Sequence, residues 1–118
     1  MVNEVWPRTQ KFGIYLGEQM IVVVETIKAI EGKMDLLKKA LLELVPISRK
    51  AEGCLQYDLL EPIDQGDEIL VLMRWKKLTD LRKHESSEYI AEFVSKYDKI
   101  LYDKVKITEW KELPIRHS

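Results

Sequence analysis

Ile69-Leu-Val-Leu-Met73 is an unbroken apolar run bounded by charge, with Glu68 before it and Arg74 after it. A run that short does not fill a buried helix, so it predicts a strand covered on both faces. Met20-Ile-Val-Val-Val-Glu-Thr-Ile-Lys28 is β-branched and apolar at consecutive positions from Ile21 to Val24, which predicts a second strand of the same kind. Between the two the period changes. Glu31-Gly32 turns the chain, and Met34, Leu37, Leu41, Leu44 and Val45 then recur at helical spacing, with Lys33, Lys38, Lys39 and Glu43 mostly off that face. The helix should fade between Arg49 and Glu52, before Gly53. Cys54 to Leu60 alternates as a strand does, and Glu61 to Asp67 is a turn-rich connection short enough to join antiparallel neighbours.

Beyond Trp75, Thr79 or Asp80 is expected to cap a helix that carries His84. Ser86-Ser87 interrupts it, and either serine suits the cap of a next helix on which Ile90, Phe93, Val94, Tyr97 and Leu101 share a face. Val105 to Leu113 alternates over its first half and predicts a fourth strand, stopped by Pro114. Strand, helix, strand, strand, helix, strand is the split βαβ order, so the expected fold is α+β, ferredoxin-like, with an antiparallel sheet. Right-handed crossovers put both helices on one sheet face. The consecutive apolar residues of the first and third strands then leave the other face apolar as well. A second copy pairing sheet to sheet is the simplest cover, so a homodimer is expected.

Composition narrows the partners. The chain has 118 residues and a formal net charge of −1, which suits one domain with a full core and disfavours nucleic acid or an anionic membrane as the main partner. The single Cys54 rules out an intrachain disulfide and fits a reducing compartment. No apolar stretch approaches the roughly 20 residues of a membrane span, and no signal segment is visible, so the expected address is cytoplasmic. Residues 20–113 form the expected folded unit and residues 114–118 a polar tail, with His117 exposed. In the extension of residues 1–19, Trp6, Phe12 and Tyr15 stand among charges. Trp6 and at least one of Phe12 and Tyr15 are expected to anchor it against the core or a second subunit.

Candidate chemistry centres on His84, nine positions beyond Trp75. A strand-end aromatic and an imidazole on the next helix can face one pocket, although each taken alone also reads as packing. Two distant histidines and no cysteine pair make no metal-ligand set. Glu25, on an otherwise apolar strand, reads as a solvent-facing strand end.

The first strand, the Gly32 turn, Glu52-Gly-Cys-Leu-Gln-Tyr57, Arg74-Trp75 and His84-Glu-Ser-Ser87 together resemble the antibiotic biosynthesis monooxygenase family, over residues 20–113. The resemblance implies a dimeric α/β barrel and, in its quinol-monooxygenase-like branch, a cofactor-independent oxidation of a small aromatic (a quinol or a polyketide-like compound) by O2. It places proton transfer on His84 and substrate contacts on Tyr57, Trp75 and Tyr89, with no cofactor. Two positions depart from the family: Met73 stands where members often carry an acid, and Tyr89 where many carry a second His. Glu25 stands where haem-degrading members carry Asn, which disfavours haem chemistry. With no flavin or metal signature, the electrons for O2 come from the substrate, and an imidazole of ordinary pKa, about 6.5, suits the proton transfer. An isomerase of a small oxygenated metabolite, and a dimeric ligand-binding or stress protein without catalysis, are the alternatives on the same fold.

Overall fold

The computed structural model describes residues 20–113. Its elements are β1 (Ile21–Lys28), α1 (Met34–Arg49), β2 (Cys54–Leu60), β3 (Glu68–Trp75), α2 (Leu78–Glu85), α3 (Glu88–Tyr97), a 3-10 turn at Asp98–Ile100, and β4 (Lys106–Lys111). The strands form one antiparallel sheet in the order β2-β3-β1-β4. This is the ferredoxin-like α+β arrangement. The two continuous apolar runs are its central pair, hydrogen-bonded on both edges.

Register decides which residues meet the helices. Ile21 lies opposite Trp75, Val23 opposite Met73, Glu25 opposite Val71 and Ile27 opposite Ile69. Successive strand side chains point to opposite faces, so these positions share one side of the sheet. Val23, Ile27, Val71, Met73 and Trp75 are buried there beneath Leu37, Leu41 and Leu44 of α1 and Leu81 of α2. The spacing of the α1 residues brings them onto one stripe that faces the sheet.

The helix boundaries hold two corrections. Neither Thr79 nor Asp80 caps α2, which begins at Leu78 behind Lys77 without a side-chain cap. Asp80 is instead buried against Gly53. The last helix stops at Tyr97 rather than reaching Leu101, which passes through the 3-10 turn to bridge Ala29. Of the two serines, Ser87 is the N-cap of α3 and accepts a hydrogen bond from the Ile90 amide at 3.3 Å, while Ser86 turns back to the Arg82 carbonyl. Trp6, Phe12, Tyr15, Pro114 and His117 lie outside the described residues.

The face away from the helices carries Val22, Val24, Leu70 and Leu72, with Leu60 and Trp110 47% and 59% exposed beside them. If a second copy covers this patch, Val24→Asp or Leu72→Asp buries an unpaired charge and weakens association by several kcal/mol. Sedimentation at micromolar concentration is then expected to show a wild-type dimer and a monomeric variant. A wild type that sediments only as a compact monomer would sink the idea. No helix among the described residues is long and apolar enough to cross a membrane.

Candidate functional site

A bulge in β2 aims the first site residue. Cys54 pairs with Trp75 and Gln56 with Arg74, so the extra residue Leu55 shifts the strand and leaves Tyr57 opposite Met73, on the helix side. Cys54 and Tyr57, three apart in sequence, therefore pair with residues of the same buried row. Trp75 closes β3 on that side, fully buried. The tight passage from α2 to α3 does the rest. The His84 carbonyl accepts from both the Ser87 amide (3.1 Å) and its hydroxyl (2.7 Å), so His84 and Tyr89 come together across the joint.

His84 is 5% exposed, at the centre of an aromatic enclosure. Its ring lies 4.7 Å from that of Trp75, 5.8 Å from Tyr57, nearly edge-on, and 5.5 Å from Tyr89. Its Nδ1 is 2.7 Å from the Tyr89 hydroxyl. The four residues singled out in the sequence thus lie together. Their electrostatics differ from the expectation, however. Burial pushes His84 down to about 4, because nothing around the ring replaces the water that stabilises an imidazolium. At neutral pH it is a neutral hydrogen-bonding group rather than a half-protonated acid. Burial likewise pushes Tyr57 up to about 12; the Ser48 hydroxyl alongside offsets part of that rise. Ser48 itself is fully buried and makes no hydrogen bond of good geometry with the described residues. The Trp75 indole N–H donates to the Met73 sulfur at 3.4 Å. At this departure from the family pattern, a soft neutral acceptor stands where a carboxylate is common.

Glu25 is the main correction. It is not a fully exposed strand end; it points to the helix side between Val23 and Ile27 and is half-buried there. Burial raises its carboxyl to about 7, and the nearby Glu85 adds to the rise. Its charge reaches Tyr57. Sequence reasoning also missed Ser48. The signal for Glu25 was its parity with Val23 and Ile27; for Ser48 it was the helical step from Leu44.

The half-buried Glu25 and the buried His84 predict a pH profile of stability. Glu25 binds its proton more tightly when folded, so its contribution falls as pH rises from 4.5 through about 7. His84 binds its proton less tightly when folded, so its contribution is lost as pH falls from 6.5 through about 4. Between 4.5 and 6.5 the slopes oppose, each about 1.4 kcal/mol per pH unit. Urea unfolding of the wild type should be nearly flat there, whereas Glu25→Gln should gain stability with rising pH. Parallel profiles for the two proteins would contradict this placement of Glu25.

A groove of about 110 Å³ runs between α1 and α3, lined by Leu44, Ile47, Phe93 and Tyr97, and it meets the cluster at Tyr89. This groove touches Tyr89, the hydrogen-bonding partner of His84. No group of three or more candidate metal ligands occurs among the described residues.

Comparisons with known proteins give the family and the fold. Residues 20–96 match the antibiotic biosynthesis monooxygenase family. YcnE of Bacillus subtilis (strain 168), described as a candidate monooxygenase, is 30% identical over 82 residues, covering 70% of this chain and 86% of that protein. Among solved structures, PA3566 from Pseudomonas aeruginosa superposes with a TM-score of 0.74 at 29% identity, covering 81% of this chain and 96% of that one. A candidate antibiotic biosynthesis monooxygenase from Deinococcus radiodurans gives 0.75 at 19% identity, covering 83% and 97%, and so shares the fold.

Proposed function

The chain belongs to the antibiotic biosynthesis monooxygenase family, and on that premise we propose that it oxidises a small quinol or related phenol with O2 and without a cofactor. The observation that carries this reading is the His84–Tyr89 hydrogen bond set inside the walls of Trp75 and Tyr57. Flat aromatic walls suit a flat aromatic substrate, and the enclosure keeps water from competing for its oxygen.

A quinol and O2 contain the atoms and electrons of a hydroxyquinone and one water, so the substrate is its own reductant. The demand on the protein is to favour the substrate anion, which gives up electrons more readily than the neutral quinol. Tyr89 and the neutral His84 share a short hydrogen bond, and both lie where they can hold a substrate oxygen. Hydrogen bonds placed for the charge that develops are the largest single lever in a dry site. The groove lined by Phe93 and Tyr97 supports an entry route for a ring toward Tyr89. The apolar sheet face supports assembly as a dimeric barrel, with each protomer carrying its own site.

Oxygen consumption measured with a panel of quinols, in metal-chelating buffer and without added flavin, tests the reading. Uptake at a rate proportional to protein is expected, with a hydroxyquinone as product. No uptake above the buffer rate for any quinol would remove this activity.

A further inference from the structure

Every helix-side position of β1 and β3 is apolar except one. That exception is Glu25, placed between Val23 and Ile27, opposite Val71 on β3 and Ile107 on β4. Half-buried there, it gains no hydrogen bond or cation among the described residues to offset the water it has lost. The guanidinium beside Glu85, that of Arg82, is committed to Glu85 at 3.0 Å and to both oxygens of Glu109 at 2.8 and 2.9 Å. An unpaired, partly desolvated carboxyl in an apolar layer costs stability and marks a candidate for chemistry. It shares the helix-side layer with Tyr57, one row along and across the intervening β3, because Glu25 pairs with Val71 while Tyr57 pairs with Met73.

We propose that Glu25 is the base of this site, its carboxylate taking the proton from a phenolic hydroxyl of the substrate held among Tyr57, Tyr89 and His84. The inference rests on the monooxygenase reading above and adds the group that this reading lacks. In the step, the substrate O–H bond breaks, the proton passes to a Glu25 oxygen, and the bonding pair stays on the substrate oxygen. One negative charge moves from carboxylate to phenolate, so no further reactant is needed. The reacting phenolate is then oxidised by O2.

The groups around Glu25 fit it for this task better than His84. Glu85 of α2, held by Arg82, adds to the rise of the Glu25 carboxyl, Tyr57 of β2 shares its side of the sheet across β3, and β4 presents Ile107 and the Arg82-bound Glu109. Partial burial first, and Glu85 second, favour a carboxyl that accepts a proton near neutrality. A base works best when its pKa lies close to the working pH. His84, buried among aromatic rings with Nδ1 engaged by Tyr89, resists becoming cationic.

Two readouts on the full chain test the proposal. Glu25→Gln keeps size and polarity and is expected to lower kcat for quinols about 10²–10⁴-fold with KM within a few-fold, and to remove the rise of kcat/KM with pH near neutrality. Wild-type kcat in that variant would overturn the assignment. Infrared difference spectra on binding para-nitrophenol, a phenol whose proton is easily given up, should show a protonated carboxyl band appearing in the wild type and missing in Glu25→Gln. Absence of that band in the wild type would overturn it equally. If the wild type consumes no oxygen with any quinol, the monooxygenase reading falls, and the infrared result alone decides Glu25. Should Glu25→Gln fail to fold, Glu25→Asp is read by the same rate and band, with a carboxyl withdrawn by one methylene.

Discussion

Replacing His84 by alanine is expected to slow quinol-dependent oxygen uptake about 10²–10³-fold, the scale of one lost hydrogen-bonding group in a preorganised site. The imidazole is neutral, pushed down to about 4 by its burial, and its Nδ1 lies 2.7 Å from the Tyr89 hydroxyl. Alanine leaves that hydroxyl without its partner and opens a void against Trp75 and Tyr57. Stability should fall as well, by roughly 2–4 kcal/mol for the lost packing and the orphaned hydroxyl. Rates must therefore be measured well below the melting transition. His84→Gln separates the two losses, since an amide retains a hydrogen bond to Tyr89 but does not shuttle a proton. A glutamine variant within about tenfold of wild type would mark His84 as an orienting group, in keeping with a base elsewhere. Uptake undiminished in the alanine variant would leave His84 a packing residue.

The largest stability loss is expected at Gly53, from Gly53→Ala. Two costs add there. The backbone stands at a φ of +80°, where an L-residue is disfavoured by roughly 1–2 kcal/mol. A methyl group would also overlap the carboxylate of Asp80, which is buried at the first turn of α2 and has nowhere to retreat. The Gly53 carbonyl accepts from the Lys76 amide at 2.8 Å, so the loop does not swing away without breaking that bond. A total of about 3 kcal/mol or more follows, enough to lower the melting temperature on the order of 10 °C. Gly32→Ala is the control. Gly32 has a φ of +85° but nothing within 4 Å of an added Cβ, so only the backbone cost applies. Equal losses at the two glycines would show that the Asp80 contact is unimportant. A larger loss at Gly53, relieved by adding Asp80→Ala, is the expected pattern. Because α2 also carries His84, Gly53→Ala should disturb the site along with the fold.

The hydrophobic pattern placed all four strands of the sheet and the helix Met34–Arg49, and capping residues added the pair of helices around His84, with the start of the first misassigned. Local signals sufficed because period two and period 3.6 arise from the backbone itself, before any tertiary contact. The unbroken apolar runs at Ile21 to Val24 and Ile69 to Met73 even announced the central pair of strands. The residues gathered at His84 were legible too, once the pattern of Tyr57, Trp75 and Ser87 was set beside that of a family. Other features depended on contacts between residues far apart in the chain. Lys77 precedes α2 because Asp80, the better capping residue, is used against Gly53. Leu55 sits in a bulge, and without that shift simple alternation does not place both Cys54 and Tyr57 beside the buried end of β3. Glu25 looked solvent-facing because a single polar residue carries no periodicity of its own; register against Val71 and Ile107 turned it inward. The protonation states were decided last. Desolvation is a sum over everything that replaces water around a group. For His84 those neighbours come from β2, β3 and α3, and no stretch of sequence contains them all.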